Sequence, residues 1–176
     1  MKKIIAFAGS NSKTSINKQL ATYAANQLEN ASIEVLDLND YELPLYGMDH
    51  ELEHGIPERA KDFLNKIQVA DGIIISFAEH NGAYSAVFKN LFDWMSRIDG
   101  KLWNGVPMLL MATSPGARGG GTVLEIAKGR FPYMGGNIVG AFSFPSFNEN
   151  FENGVVINEE LKTDLNKEIR ALENSL

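Results

Sequence analysis

The chain has 176 residues, 44% of them hydrophobic and 22% charged, with a net charge of -6 and no cysteine. This length fits one domain, residues 1–176, with a sizeable core. The acidic balance, with a pI near 5.1, argues against a nucleic-acid binder and an anionic-membrane binder. Without cysteine there is no disulfide, no thiolate zinc site and no thiol catalysis.

Met1-Lys2-Lys3 followed by the apolar Ile4 to Ala8 imitates the start of a signal peptide. The apolar run is too short for one, and Gly9-Ser10-Asn11 interrupts it. It reads instead as a first, buried strand, Lys3 to Ala8. Nothing approaches the ~20 apolar residues of a membrane span. A cytoplasmic protein is expected.

Strand-like and helix-like segments then alternate. Ile16, Leu20, Tyr23, Ala24 and Leu28 follow helical spacing, and Ile33 to Leu38 reads as a second strand. Ile56, Ala60, Phe63, Leu64 and Ile67 mark a second helix with Pro57 in its first turn. Gly72 to Phe77 is a third strand, and Val87, Phe88, Leu91, Phe92 and Met95 define a third helix. Val106 to Thr113, Thr122 to Phe131 and Asn137 to Phe142 read as strand, helix and strand, and Leu161, Leu165, Ile169 and Leu172 as a closing amphipathic helix. Ser143 to Asn158 offers no functional reading.

Five strands alternating with helices imply an α/β three-layer sandwich: a five-stranded parallel sheet in the flavodoxin-like order 2-1-3-4-5, covered on both faces. In such a sheet, ligands bind beyond the C-terminal strand ends, beside the switch between the first and third strands. The loops after strands one, three and four are therefore the place to look for chemistry.

The first loop, Gly9 to Asn17, offers the hydroxyls of Ser10, Ser12 and Ser15 just before a helix start at Ile16. Unpaired N–H groups and the helix dipole favour an anion there, whereas a plain reading makes Ser15 only a helix cap. The frame is neither a dinucleotide fingerprint nor a Walker loop. The loop after the third strand, Ala78 to Tyr84, carries Glu79, His80, Asn81 and Gly82, on which a flat ring could rest. The loop after the fourth strand runs from Thr113 to Gly121; its glycines permit close approach or positive φ, and Arg118 reads equally as a solvated side chain.

Three motifs then resemble the NAD(P)H-dependent FMN reductase family, from the first strand to about Phe142. They are Gly9-Ser10 with Ser15-x-Asn17; Glu79-His80-Asn81-Gly82 leading to Lys89-Asn90-x-x-Asp93-Trp94-x-Ser96-Arg97; and Ser114-Pro115-Gly116-x-x-Gly119-Gly120. The resemblance implies a flavodoxin-like fold with FMN as cofactor and NADPH or NADH as co-substrate. It implies that Ser10, Ser12, Ser15 and Asn17, with Ile16, surround the phosphate. It places Ala78 and Glu79 to Gly82 along the isoalloxazine and ribityl. Ser114, Pro115, Gly116, Arg118 and Gly119 then hold the other ring edge.

Two residues depart from the family pattern. Ser12 stands where the family often has Arg, with Lys13 as the residue that could compensate, and His80 stands where it usually has Tyr. The resemblance further implies a homodimer or homotetramer built on the Lys89–Arg97 helix. On this reading no side chain is an obligate acid or base and no metal is needed, because the flavin carries the chemistry. The expected activity is hydride transfer from NAD(P)H to FMN and onward to a small-molecule acceptor: free flavin, a quinone, an azo compound or an oxidised metal ion.

Two alternatives belong beside it. One is a one-electron flavodoxin-type carrier. The other is a zinc hydrolase built on His50-Glu51-Leu52-Glu53-His54, which matches the His-Glu-x-x-His pattern but is crowded by Pro44, Gly47, Gly55 and Pro57. A solvated loop or short exposed helix is the simpler reading of that segment. Asp93 and Arg97, four residues apart, are expected to pair, and Trp94, Phe88, Phe92 and Met95 to be core, with some apolar surface left for a partner. Leu45 and Tyr46, after Pro44, are a further candidate for a partner's flavin.

Overall fold

The computed structural model describes residues 1–176. The main sheet is formed by β1 (Lys2–Gly9), β2 (Ala31–Leu36), β3 (Gly72–Phe77), β6 (Pro107–Thr113) and β7 (Asn137–Phe144) in the order β2-β1-β3-β6-β7. All four pairings are parallel. Counted along these five strands, this is the expected 2-1-3-4-5 order, and the fold is flavodoxin-like.

Alternation along β1 explains the layers. Successive side chains of a strand point to opposite faces, and here both faces are covered, so the strand is apolar throughout. Ile5 and Phe7 enter a core shared with α3 (Glu58–Gln68), α4 (Ala86–Ile98) and α5 (Gly121–Arg130). Ile4 and Ala6 enter the opposite core, shared with α1 (Ile16–Ala25) and α7 (Glu159–Glu173).

Several boundaries differ from the sequence reading. The second strand ends at Leu36, not Leu38, because the Asp37 carboxylate accepts from Asn39 N–H at 2.9 Å and turns the chain into a short 3-10 helix, Leu38–Tyr41. Pro57 is the cap before α3 rather than a residue of its first turn. The fifth sheet strand continues to Phe144.

The loop after β3 is not irregular. It forms a hairpin of β4 (Glu79–His80) and β5 (Ala83–Tyr84). Asn81 and Gly82 at its tip both have positive φ, 53° and 74°, as a two-residue hairpin turn requires. The Asn-Gly signal was present in the sequence, but the strands are too short to show an alternating pattern.

The segment 143–158 holds a one-turn helix, α6 (Phe147–Asn150), and a hairpin of β8 (Phe151–Glu152) and β9 (Val155–Val156). Met48–His54 forms a short helix, α2, with no buried residue. No helix is long and apolar enough to cross a membrane.

Candidate active site

The loops after β1, β3 and β6 converge on one cleft of about 290 Å³ beyond the C-terminal ends of the strands. Its wall includes Ser10, Ser12, Ser15, Ile16 and Asn17 from the first loop and α1, Ala78, Glu79 and His80 from the hairpin, and Ser114 and Pro115 after β6. Thr14 and Thr113 also line it and were not singled out from the sequence. Thr14 was legible as a further hydroxyl in a Ser-rich loop, and Thr113 as the residue where the fourth strand passes into its loop. Asn81, Gly82, Gly116, Arg118 and Gly119 lie outside this wall.

The first loop is a half-satisfied anion cradle. Ser15 caps α1 by accepting from Lys18 N–H at 3.1 Å, and Ser10 Oγ accepts from Ser12 N–H at 3.2 Å. Both hydroxyl hydrogens are left without a protein acceptor. The backbone N–H groups of Lys13, Thr14, Ile16 and Asn17 likewise have none, whereas that of Ser15 is used on Ser12. N–H groups at a helix start, with the positive end of the dipole behind them, suit a phosphate.

No lysine or arginine lines the cleft, whose one imidazole is that of His80 on the hairpin. Lys13, the candidate for the missing charge partner, lies on the wall of a neighbouring hollow instead. The donor set is thus neutral: hydroxyls and amides.

Asn17 is buried, and its carboxamide is engaged by the protein. Oδ1 accepts from Ser76 Oγ at 2.7 Å and Thr113 N–H at 3.0 Å, and Nδ2 donates to the Thr113 carbonyl at 3.2 Å. This pins the first turn of α1 across the ends of β3 and β6. Ser85, also buried, does the same for α4: its hydroxyl donates to the Gly9 carbonyl at 2.7 Å and caps Phe88 N–H at 3.3 Å.

Glu79 is the only carboxylate on the cleft wall, and its side chain reaches to the start of α5. Its Oε2 accepts from Val123 N–H at 2.8 Å, in the first turn of α5. That helix has Gly120 at its cap position and no side-chain cap of its own, so the carboxylate supplies one. A negative charge that would repel a phosphate is thereby held against another helix start.

The loop after β6 is braced from beyond β7. Ser146 N–H donates to the Gly116 carbonyl and Phe147 N–H to the Ser114 carbonyl, both at 3.0 Å. Thr113 Oγ1 donates to the Phe144 carbonyl at 2.7 Å. Two of its glycines, Gly119 and Gly120, are closely packed against the protein. Gly119, at φ +54°, faces Ser143 Oγ and the Phe144 backbone so closely that a Cβ would meet them at 2.7–2.8 Å. Arg118 donates to Thr122 Oγ1 at 2.8 Å on the exposed outer surface.

Away from the cleft, His50 and His54 come together on α2 with ring centroids 4.6 Å apart. No group of three or more His, Asp or Glu could hold a metal ion. Glu51, which a zinc protease would need as its base, is paired with Arg97 at 2.8 Å. That pairing lowers the Glu51 pKa below the usual carboxylate range, chiefly through the Arg97 hydrogen bond. It also corrects the expected Asp93–Arg97 pair: Asp93 pairs with Lys89 at 2.7 Å instead. Trp94, Phe88, Phe92 and Met95 are all buried in the chain's own core.

A doubly wound sheet of this order, with a cleft lined by hydroxyls and free N–H groups at its switch point, defines a flavodoxin-like fold. The chain belongs to the NADPH-dependent FMN reductase family, whose pattern it matches over residues 2–149. It is 35% identical over 134 residues to a 2-hydroxy-1,4-benzoquinone reductase of a Burkholderia species, covering 75% of this chain and 71% of that protein. It is 32% identical over 119 residues to the quinone reductase of Escherichia coli K12, covering 67% of this chain and 63% of the relative. The fold superposes on the flavoenzyme NAD(P)H:(acceptor) oxidoreductase of Paracoccus denitrificans with a TM-score of 0.79 at 24% identity, over 99% of this chain and 96% of that one.

Family membership makes the protein an oxidoreductase that uses FMN and NAD(P)H. The carrier and zinc-hydrolase alternatives are thereby set aside.

Proposed function

We propose that this protein reduces small quinone-type acceptors with electrons drawn from NAD(P)H through FMN held in the three-loop cleft. The observation that carries the site is the cluster of unpaired N–H groups and hydroxyls from Ser10 to Asn17 at the head of that cleft. Quinone as acceptor rests on the two reductases named above. FMN, when bound, supplies two-electron acceptance and release. The chain's part is binding and orientation.

On this reading the hydroxyls of Ser10, Ser12, Thr14 and Ser15, with the N–H groups of Lys13, Thr14, Ile16 and Asn17, hold the phosphate. Ala78, Glu79, His80 and the Asn81-Gly82 turn border the ring on one side, through backbone and the His80 imidazole. Ser114, Pro115 and Gly116 border it on the other, while Gly119 and Arg118 act from behind by holding that loop and its helix. Asn17 and Ser85 keep the loops in register.

The oligomer and the cytoplasmic location belong to the same proposal. Leu45, Met48 and Leu52 are 83%, 68% and 80% exposed. Their segment is tied to α4 by Trp94 Nε1, which donates to the Pro44 carbonyl at 2.8 Å, and by the Arg97–Glu51 pair. Exposed apolar groups beside α4 favour a homodimer or homotetramer on this face.

The test is an anaerobic titration of the FMN-loaded protein with NADPH and NADH, followed at the flavin band near ~450 nm, and then addition of a benzoquinone. Rapid bleaching by a nicotinamide and rapid recovery with the quinone are expected. Bound FMN that stays oxidised with both donors rules the proposal out.

A further inference from the structure

A second hollow of about 400 Å³ lies on the far side of the Thr14-Ser15 turn. Those two residues are common to both walls, so the hollow and the cleft flank the same turn. It lies between the outward face of α1 and the hairpin β8–β9, lined by Lys13, Lys18, Gln19, Thr22, Tyr23 and Asn26 from one side and Phe151 and Gly154 from the other. We propose that this hollow receives the adenosine phosphate end of a flavin dinucleotide whose FMN half occupies the cleft, so that the protein takes FAD as well as FMN. This rests on the cleft being the FMN site.

The chemistry of the wall fits that half of the molecule. Lys13 makes no ion pair in the protein, and its N–H and that of Thr14 are unpaired at the turn between the two spaces. The FMN phosphate takes those amides, and a second phosphate would find the free Lys13 ammonium beside them. Lys18 is less available, because it pairs with Asp37 at 2.5 Å. Gln19, Thr22 and Asn26 present amides and a hydroxyl, the donors and acceptors that read a purine edge. Tyr23 and Phe151, edge to face at 5.8 Å, supply an aromatic floor. The volume lies within the range of small-molecule sites.

The experiment compares FMN and FAD binding to flavin-free protein by calorimetry, in the native chain and in Thr22→Trp and Gln19→Trp. Both substitutions fill the hollow from α1 without touching the cleft, and Gln19 is exposed, so that variant tests the idea even if Thr22→Trp folds poorly. FAD is expected to bind the native chain at least as tightly as FMN. Filling the hollow should weaken FAD about tenfold or more while FMN stays within about twofold. FAD binding much weaker than FMN in the native chain, or unchanged in both variants, overturns the inference and leaves the FMN site standing. A native chain that binds neither flavin overturns both.

Discussion

Asn17 and Thr113, 96 residues apart, exchange two hydrogen bonds, the Asn17 carboxamide pairing with the Thr113 peptide as a neighbouring strand would. Ser76 adds a third bond to the same oxygen. The start of α1 is thus held over the point where β3 and β6 end. The N–H groups of the first loop point from a fixed platform, and a fixed platform is what lowers the ordering cost of binding.

Asn17→Ala should therefore cost stability as well as cofactor. It leaves the Ser76 hydroxyl and the Thr113 peptide groups buried without partners, at about 2–4 kcal/mol for the cluster. Urea denaturation would show the midpoint falling with an unchanged slope. FMN affinity measured on the still-folded fraction should fall too.

Ser85→Ala removes both the cap of α4 and its tie to Gly9. A loss of about 1–2 kcal/mol is expected, read as a lower melting temperature. Ser85→Thr, which keeps the hydroxyl, should recover part of it.

Gly119→Ala and Gly116→Ala form a matched pair. At Gly119 an added Cβ meets Ser143 and the Phe144 backbone at 2.7–2.8 Å, and φ is +54°. At Gly116 its nearest neighbour is Ser114 Oγ at 3.9 Å. The first substitution should destabilise by more than about 1 kcal/mol and the second by much less. Equal effects in a denaturation series would contradict the packing role given to Gly119.

Glu79→Ala takes the carboxylate from the start of α5 and frees the hairpin from that helix. About 1 kcal/mol should be lost, with Glu79→Gln losing less because the amide oxygen still accepts. Hydrogen exchange at Val123 N–H would speed up in the Ala variant.

Asp37 and Lys18 give a pH signature. The Lys18 hydrogen bond holds the Asp37 carboxyl below its ordinary value, burial opposing it and Asn39 helping. A carboxyl depressed on folding stabilises above its unfolded pKa, about 3.9, and that stabilisation disappears as pH falls through the folded value. Asp37→Asn should be less stable than the native chain at pH 7, the gap closing below about pH 4. The pair is partly exposed, so the gap is modest and shrinks with salt.

The sequence by itself determined the alternation of strands and helices and the covering of the sheet on both faces; the 2-1-3-4-5 order was the expectation of the fold class, which the tertiary structure bears out. Runs such as Ile73 to Ile75, apolar on both faces, read as central parallel strands, and the helical spacing of Ala60, Phe63, Leu64 and Ile67 gives one apolar face to cover them. It also placed the three loops at one edge, since parallel strands send their exits the same way. Tertiary structure decided which loop residues form the wall and which form the supports behind it. Arg118 and Gly119 have the composition of ligand contacts, yet they pack on Thr122 and on Ser143 and Phe144 behind the wall, and Glu79, which lines the wall, turns its carboxylate to Val123. Those partners are not predictable from local pattern, because hydrogen bonding and steric contact depend on distance in space. Ser146 and Phe147, in a segment with no legible pattern, brace the loop after β6 for the same reason.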